Sequence, residues 1–498
     1  MRNHLLNMVM ALLLIACGSP QVPSAFTETD QLPDIYPDYL GVTIPVNMAP
    51  LHFQLMDVDD ETEVVTRFSA AGQTLVCGGR QVRPDFNEWK QLAQAAKGQD
   101  ITVEVFVEGN GAWSRFKPFK VSVSADSIDS WLSYRLISPS YVAFEELTIN
   151  QRCLESFDER VIYNNMLNST EQNGQCINCH SYQRGNPDRM QFHARINNAG
   201  TLISQDGQLR KVNLKTDSTI SAGVYPAWHP TRSLIAYSTD ITKQLFHTYD
   251  VNKVEVFDQQ SDLILYDIEQ NEVHIVENQP DELEIFPTWS PDGQWLYYCS
   301  AHFALTDSTG TGSRFIDHYK EIKYNVYRKH FNEKTLAFGP RELVFDAAAQ
   351  GLSATLPRIS PDGQWLMLSV GEWGCFHIWH QDADLWLMNL QTQEAGPWTE
   401  VNSDQVEGYH TWSQSGRWIV FSSRRYDGNF SRPFFAHVDE QGHATKPFEL
   451  PCDNPDDNRQ LLRSYNIPEL MTGPVTVTPQ QFAETLKGVP TQAVLKSK

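Results

Sequence analysis

The sequence predicts a mainly β protein in three parts: an N-terminal β-sandwich-like domain, a short segment carrying a Cys-x-x-Cys-His motif, and a C-terminal β-propeller of about six blades. Three observations predict it. Short runs of alternating apolar and polar residues fill residues 36–137, a turn-centred unit recurs through residues 195–465, and the alternation is lost between them.

The chain has 498 residues, 41% of them hydrophobic and 11% aromatic, which is the composition of a folded protein of more than one domain. Thirty-nine basic residues against 61 acidic give a net charge of -22. Such a balance repels phosphate backbones and anionic lipid, so nucleic acid is excluded as a partner. The acidic residues are scattered, as on a solvated surface.

Residues 1–17 read as a signal peptide. Met1-Arg2-Asn3-His4 precedes a mostly apolar stretch, Leu5 to Ile15, too short for a bilayer core of about 30 Å. It ends in Leu14-Ile15-Ala16-Cys17-Gly18-Ser19, which resembles the processing box of bacterial lipoproteins. That resemblance implies acylation of Cys17, anchorage by lipid alone, and a place in the cell envelope, on the outer membrane facing the periplasm. Residues 18–35, rich in Pro, Ser, Thr and Gln, then read as a tether.

In residues 36–137, runs such as Ile101-Thr102-Val103-Glu104-Val105-Phe106-Val107 and Phe119-Lys120-Val121-Ser122-Val123 predict strands. Phe86 to Ala96 has helical spacing. Residues 138–194 read as an irregular segment around the motif. Beyond it, Phe286-Pro287-Thr288-Trp289-Ser290-Pro291-Asp292-Gly293-Gln294-Trp295 recurs as Leu356-Pro357-Arg358-Ile359-Ser360-Pro361-Asp362-Gly363-Gln364-Trp365. Weaker copies start at Tyr225 and Tyr409. Each copy is strand, turn and strand, with Pro where a turn fixes φ and Gly where it needs positive φ. Asp262 to Asp267 and Asp384 to Asn389 read as third strands. The unit resembles the repeat of TolB-like β-propellers, and the resemblance covers residues 195–465; residues 466–498 are a tail that closes the ring or packs back on the N-terminal domain.

Cys176-Ile177-Asn178-Cys179-His180 has the spacing of a c-type haem attachment site. Each sulfur forms a thioether with a haem vinyl group, and the adjacent histidine ligates iron from the proximal side. The expected cofactor is one covalent haem c. Met190 is the candidate distal ligand and His193 the alternative, since ten residues from His180 reach roughly 33 Å when extended, enough to pass around a haem edge. A zinc site of Cys176, Cys179, His180 and His193 is the competing use of these residues. Cys77, Cys153, Cys299, Cys375 and Cys452 are left over, with Cys77 and Cys153 a conceivable disulfide in an oxidising compartment. His229, His247, His377, His380 and His410 could line a propeller channel, but show no metal-ligand spacing and read as structural.

Taken together, the processing box, the β-rich start, the single haem motif and the repeats resemble a family of bacterial haem c propeller lipoproteins. The resemblance covers residues 36–470; it implies haem on Cys176, Cys179 and His180 and names no reaction. The expected function is one-electron transfer, with the propeller docking a redox partner or other envelope proteins, and without catalytic residues. Two alternatives stand beside it: a non-redox scaffold or haem-based sensor, and a reductase with a further cofactor in the propeller.

Overall fold

A computed structural model describes residues 20–138, 146–303 and 313–496. The signal peptide and Cys17 lie outside the described residues. Among those described, the architecture is mainly β, and its larger part is six runs of four antiparallel strands. Their first strands are Gln175–Gln183, Val224–Trp228, Glu282–Trp289, Ser353–Ile359, Glu407–Trp412 and Ser464–Met471. Each first strand packs against the first strand of the next run, and the sixth returns to the first, so the six sheets close into a ring with these strands innermost. That is the arrangement of a β-propeller.

The core follows from this arrangement. Each sheet buries both faces against its neighbours, so apolar clusters lie between successive sheets. Ile203, Trp228 and Tyr266 fill the space between the first and second, and Ala236, Trp289 and Tyr298 that between the second and third. The Ser-Pro-Asp-Gly turns are held by their own side chains. Ser290 Oγ donates to Asp292 Oδ1 at 2.5 Å and accepts from Trp295 N at 2.9 Å, and Ser360 repeats both bonds around Asp362 and Trp365. The indoles of the repeat tie sheets together: Trp289 Nε1 donates to Ala227 O and Trp412 Nε1 to Arg358 O, in each case in the preceding sheet.

Two expectations need correction. Among the described residues, the stretch 138–194 is not irregular. Thr148–Cys153 and Glu159–Asn164 are the outer strands of the sixth sheet, paired through Trp131–Ile137 to the C-terminal strand Ser464–Met471. Gln175–Gln183 and Asn186–Ile196 begin the first sheet. Alternation was hidden there because these strands bury polar residues, among them Asn150, Gln151, Gln175, Ser181 and Gln191; Tyr163 of the sixth sheet donates to Gln175 Oε1 and Tyr237 of the second to Gln191 Oε1.

The second correction concerns the N-terminal region. It forms a seven-stranded sheet and a three-stranded sheet with the expected helix, Phe86–Ala95, capped by Asp85. Its core is not separate, however: Phe53, Phe68 and Trp89 belong to one cluster with Leu132, Trp418, Phe435 and Tyr465 of the fifth and sixth sheets. The tail contributes the innermost strand of the sixth sheet, a helix, Pro479–Lys487, and short strands on the edges of the first and second sheets.

Candidate functional site

Every innermost strand breaks its ladder at an equivalent place. The register shifts between Asn178 and Ser181, Val224 and Ala227, Ile285 and Thr288, Thr355 and Arg358, and Gly408 and Thr411, and opposite Ser133 and Arg135 in the sixth sheet. At each bulge stands a non-glycine residue in the left-handed region: Cys179, Tyr225, Phe286, Leu356, Tyr409 and Ile467, with φ between 46° and 55°. Such residues each cost about 1–3 kcal/mol and persist where surrounding structure holds them. All six line one cavity on the ring axis, of about 40 Å³, together with His180, Ser181, Pro226, Pro287, Arg358 and Glu469.

The Cys-x-x-Cys-His motif is therefore part of the repeat. Cys179-His180 occupies the place of Tyr225-Pro226, Phe286-Pro287, Leu356-Pro357, Tyr409-His410 and Ile467-Pro468. Tyr182 takes the place of the indole, and its hydroxyl reaches back to Ser133 Oγ in the preceding sheet at 2.8 Å. This alignment was missed in the sequence because the Ser-Pro-Asp-Gly turn is replaced here by the two-residue turn Arg184-Gly185.

Of the motif, Cys179 and His180 line the cavity, and Cys176 packs with Ile149 and Tyr163 of the sixth sheet. His180 is 1% exposed and neither ring nitrogen has a hydrogen-bond partner, although the main chain of Ile467 lies beside the ring. Burial, and the charge of Arg135, push the imidazole down to about 3, so it is neutral. Burial raises the Cys179 thiol. Cys176 lies directly opposite Arg195 and accepts from Asn178 Nδ2 at 3.3 Å.

Of the two candidate distal ligands, neither is on the axis. Met190 pairs with Tyr182 and is packed with Ile177 and Phe192 between the first and sixth sheets. His193 pairs with Asn178 on the other face, 3.1 Å from Thr201 Oγ1, and burial pushes its imidazole down to about 3. Among the described residues no three His, Cys, Asp or Glu side chains are grouped to hold a metal ion, so the zinc alternative is not assembled. Cys77 and Cys153 are free thiols.

As a donor set for haem c, two thiols three residues apart followed by a neutral, unpartnered imidazole fit. The axial cavity does not by itself hold the ring: about 40 Å³ accommodates a few waters, against the several hundred Å³ of a cofactor-sized pocket. Haem on this strand needs room beyond the cavity.

One mouth of the channel is strapped. The hairpin Leu234–Phe246 and Val254–Asp267 extends past the second sheet and reaches the fourth and fifth. Glu255 accepts from Trp373 Nε1 at 2.8 Å and lies 3.0 Å from His380 Nε2; Lys253 Nζ donates to Asn429 Oδ1. On the hairpin itself, burial raises Asp258 strongly and Asp240 to about 6. Two of the five other histidines have main-chain partners: His229 Nδ1 accepts from Arg232 N inside a turn, and His377 sits among the carbonyls of Ser369, Trp373 and Gly374.

No family model and no curated protein matches the chain. Among solved structures it is similar to an oligogalacturonate lyase in complex with manganese, at 12% identity and TM-score 0.36, over 64% of this chain and 72% of that one. It is also similar to a luciferin-regenerating enzyme, at 12% identity and TM-score 0.35, over 63% and 90%. A third likeness, over 86% and 95%, is to an apocarotenoid oxygenase from Synechocystis, at 9% identity and TM-score 0.35.

Proposed function

We propose that this chain is a haem c-carrying envelope lipoprotein that transfers one electron, its six-bladed propeller serving as a rigid docking scaffold for the redox partner. The observation that carries the reading is the donor set itself: Cys176, Cys179 and the neutral, unpartnered His180 on the innermost strand of one sheet. Bound there, haem would supply a one-electron couple at its iron. The protein's part would be to hold the two thioethers on a strand paired along one edge with Asn186–Ile196 and to keep the His180 imidazole unprotonated. In this reading Cys17 carries the lipid; the expected tether is partly folded, since Thr27–Glu28 pairs with Ser114–Arg115 and Ile35–Tyr36 with Gln54–Leu55 in the N-terminal sheets.

One observation favours a second reading, an envelope-binding propeller without redox activity: the small axial cavity. The two separate in one experiment, a pyridine haemochrome assay on protein matured in a host that attaches haem c. The first reading expects one covalent haem per chain, lost in Cys176→Ser/Cys179→Ser. A protein that folds and leaves its membrane fraction without covalent haem would overturn it in favour of the second.

A further inference from the structure

We propose that the cavity between the tip of the hairpin and the fifth sheet binds a small hydroxy acid, Arg424 taking its carboxylate and Asp427 a hydroxyl. The cavity holds about 210 Å³, below the several hundred Å³ of a cofactor-sized pocket, so its occupant is small. Separate stretches of chain meet around it. Lys253 comes from the hairpin tip, Trp379 from the turn after Trp365–Gly371 in the fourth sheet, and Gln405 from the link to the fifth. Arg424, Asp427 and Asn429 come from the loop between Trp418–Ser423 and Arg432–His437.

Arg424 is 4% exposed, yet among the described residues its guanidinium makes no hydrogen bond and no ion pair, and its Nε is buried without an acceptor. Elsewhere in this acidic chain arginines find carboxylates readily, as Arg67 and Arg115 do on Glu104. Burial pushes Arg424 down to about 9, which leaves it charged at neutral pH. Its only packing partner of note is the Trp379 indole, whose ring centre lies 3.5 Å from Cζ. Stacking covers a face of the guanidinium and leaves free the edge along which its N–H bonds point, the edge that matches a carboxylate in shape and charge. A desolvated guanidinium of this kind is incomplete without a counter-ion.

Asp427 lines the same cavity but does not supply that counter-ion. It lies beyond ion-pair distance of Arg424, and its Oδ1 accepts from Asn429 N and Phe430 N at 2.7 and 2.9 Å within its own loop. Lys253 Nζ, 2.6 Å from Asn429 Oδ1 on the same wall, balances it, so Arg424 and Lys253 against Asp427 leave one positive charge in excess. Among the described residues Asp427 Oδ2 and the Gln405 amide make no hydrogen bond. A bare anion would meet Asp427 as repulsion, whereas one carrying hydroxyls gives it a donor; that selects a hydroxy acid. Nothing in this site depends on haem at Cys176 and Cys179.

Gluconate titrated calorimetrically into the full chain tests it, with sorbitol and sulfate as controls. Arg424→Met keeps an unbranched stem against Trp379 and removes the charge; Lys253→Met changes only the exposed hairpin tip; Asp427→Asn keeps an oxygen for the two main-chain N–H groups. Gluconate should bind, about tenfold or more weakly in Arg424→Met and less weakened in Lys253→Met, with no binding of sorbitol. Sulfate should bind more weakly than gluconate, and Asp427→Asn should narrow that gap. Absence of gluconate binding, binding untouched by Arg424→Met and Lys253→Met, or sulfate binding as tight as gluconate overturns the site. Thermal unfolding of each variant is recorded alongside, and if Arg424→Met does not fold, the Lys253→Met and Asp427→Asn titrations decide by the same criteria.

Discussion

The innermost strands of the first and fifth sheets place a histidine at the same point and surround it differently. His180 and His410 each follow a left-handed residue at the bulge, each is buried, and each leaves both ring nitrogens unpartnered. Burial, with a neighbouring arginine, Arg135 or Arg358, pushes both down to about 3. The residue before His180 is Cys179, with Cys176 three further back; the residue before His410 is Tyr409, with Val406 in the corresponding place. An unpartnered imidazole at this position is thus a property of the repeat, and what sets the first sheet apart is its thiols. Any function peculiar to Cys176–His180 has to show as a difference between the two sheets.

The largest expected difference is in cofactor content. Cys176→Ser/Cys179→Ser should abolish covalent haem, whereas Cys375→Ser, which removes a buried thiol beside Asp258, should leave it intact. Haem stain on a denaturing gel reads both. Retention of covalent haem by the double variant would remove the reason for treating the first sheet as special.

Next in size is the exchange of each histidine for the residue that four other sheets carry there. Pro226, Pro287, Pro357 and Pro468 show that the bulge accepts proline, so His180→Pro and His410→Pro should both fold, each within about 1–2 kcal/mol of wild type in chemical denaturation. His180→Pro should alter the visible spectrum by removing the axial ligand, and His410→Pro should not. Identical spectra in the two variants would mean that His180 is a packing residue like its counterpart.

The pH dependence sharpens the same pair. A histidine held at about 3 when folded and near 6.5 when unfolded contributes stability that is complete above pH 6.5 and falls as pH drops toward 3, by about 1.4 kcal/mol per unit. In haem-free protein, His410→Pro and His180→Pro should each flatten the decline between pH 6 and 4 by about that slope. Glu469, raised by burial to about 7, works in the opposite sense: its contribution is present below pH 4.5 and lost as pH rises through 7. The comparison is therefore between variant and wild type at each pH. A slope unchanged by His410→Pro would show that the ring is protonated while buried.

The β content and the turn-centred repeat were legible because Ser-Pro-Asp-Gly dictates a local conformation, and the turns at Ser290 and Ser360 adopt it through bonds made entirely within the motif. The Cys-x-x-Cys-His spacing was equally legible as a donor set. Its placement was not. The first sheet lacks the Ser-Pro-Asp-Gly turn and has tyrosine in place of tryptophan, so nothing local marked Cys179-His180 as another copy. The sixth sheet joins strands more than 300 residues apart, Trp131–Ile137 with Ser464–Met471, a pairing that local periodicity does not encode.

The smallest expected effect lies in the turns that follow the two histidines. Gly185 closes the two-residue turn of the first sheet at φ 67°, and a Cβ there would meet the main-chain oxygen of Leu470 at 2.9 Å. Gly416 occupies the four-residue turn of the fifth sheet at φ 69°, where the nearest atom to such a Cβ is Pro361 Cδ at 3.3 Å. Both substitutions to alanine carry the left-handed penalty of about 1 kcal/mol, but only Gly185→Ala adds a clash with backbone that cannot rotate away. Gly185→Ala should therefore lower the denaturation midpoint by more than Gly416→Ala, by about 1–2 kcal/mol at equal slope. Because Leu470 belongs to the innermost strand of the sixth sheet, that excess measures how tightly the strand carrying the thiols is held against the strand that closes the ring. Equal losses in the two variants would mean that the first sheet can shift away from the sixth, and that the room a haem needs is available at little cost.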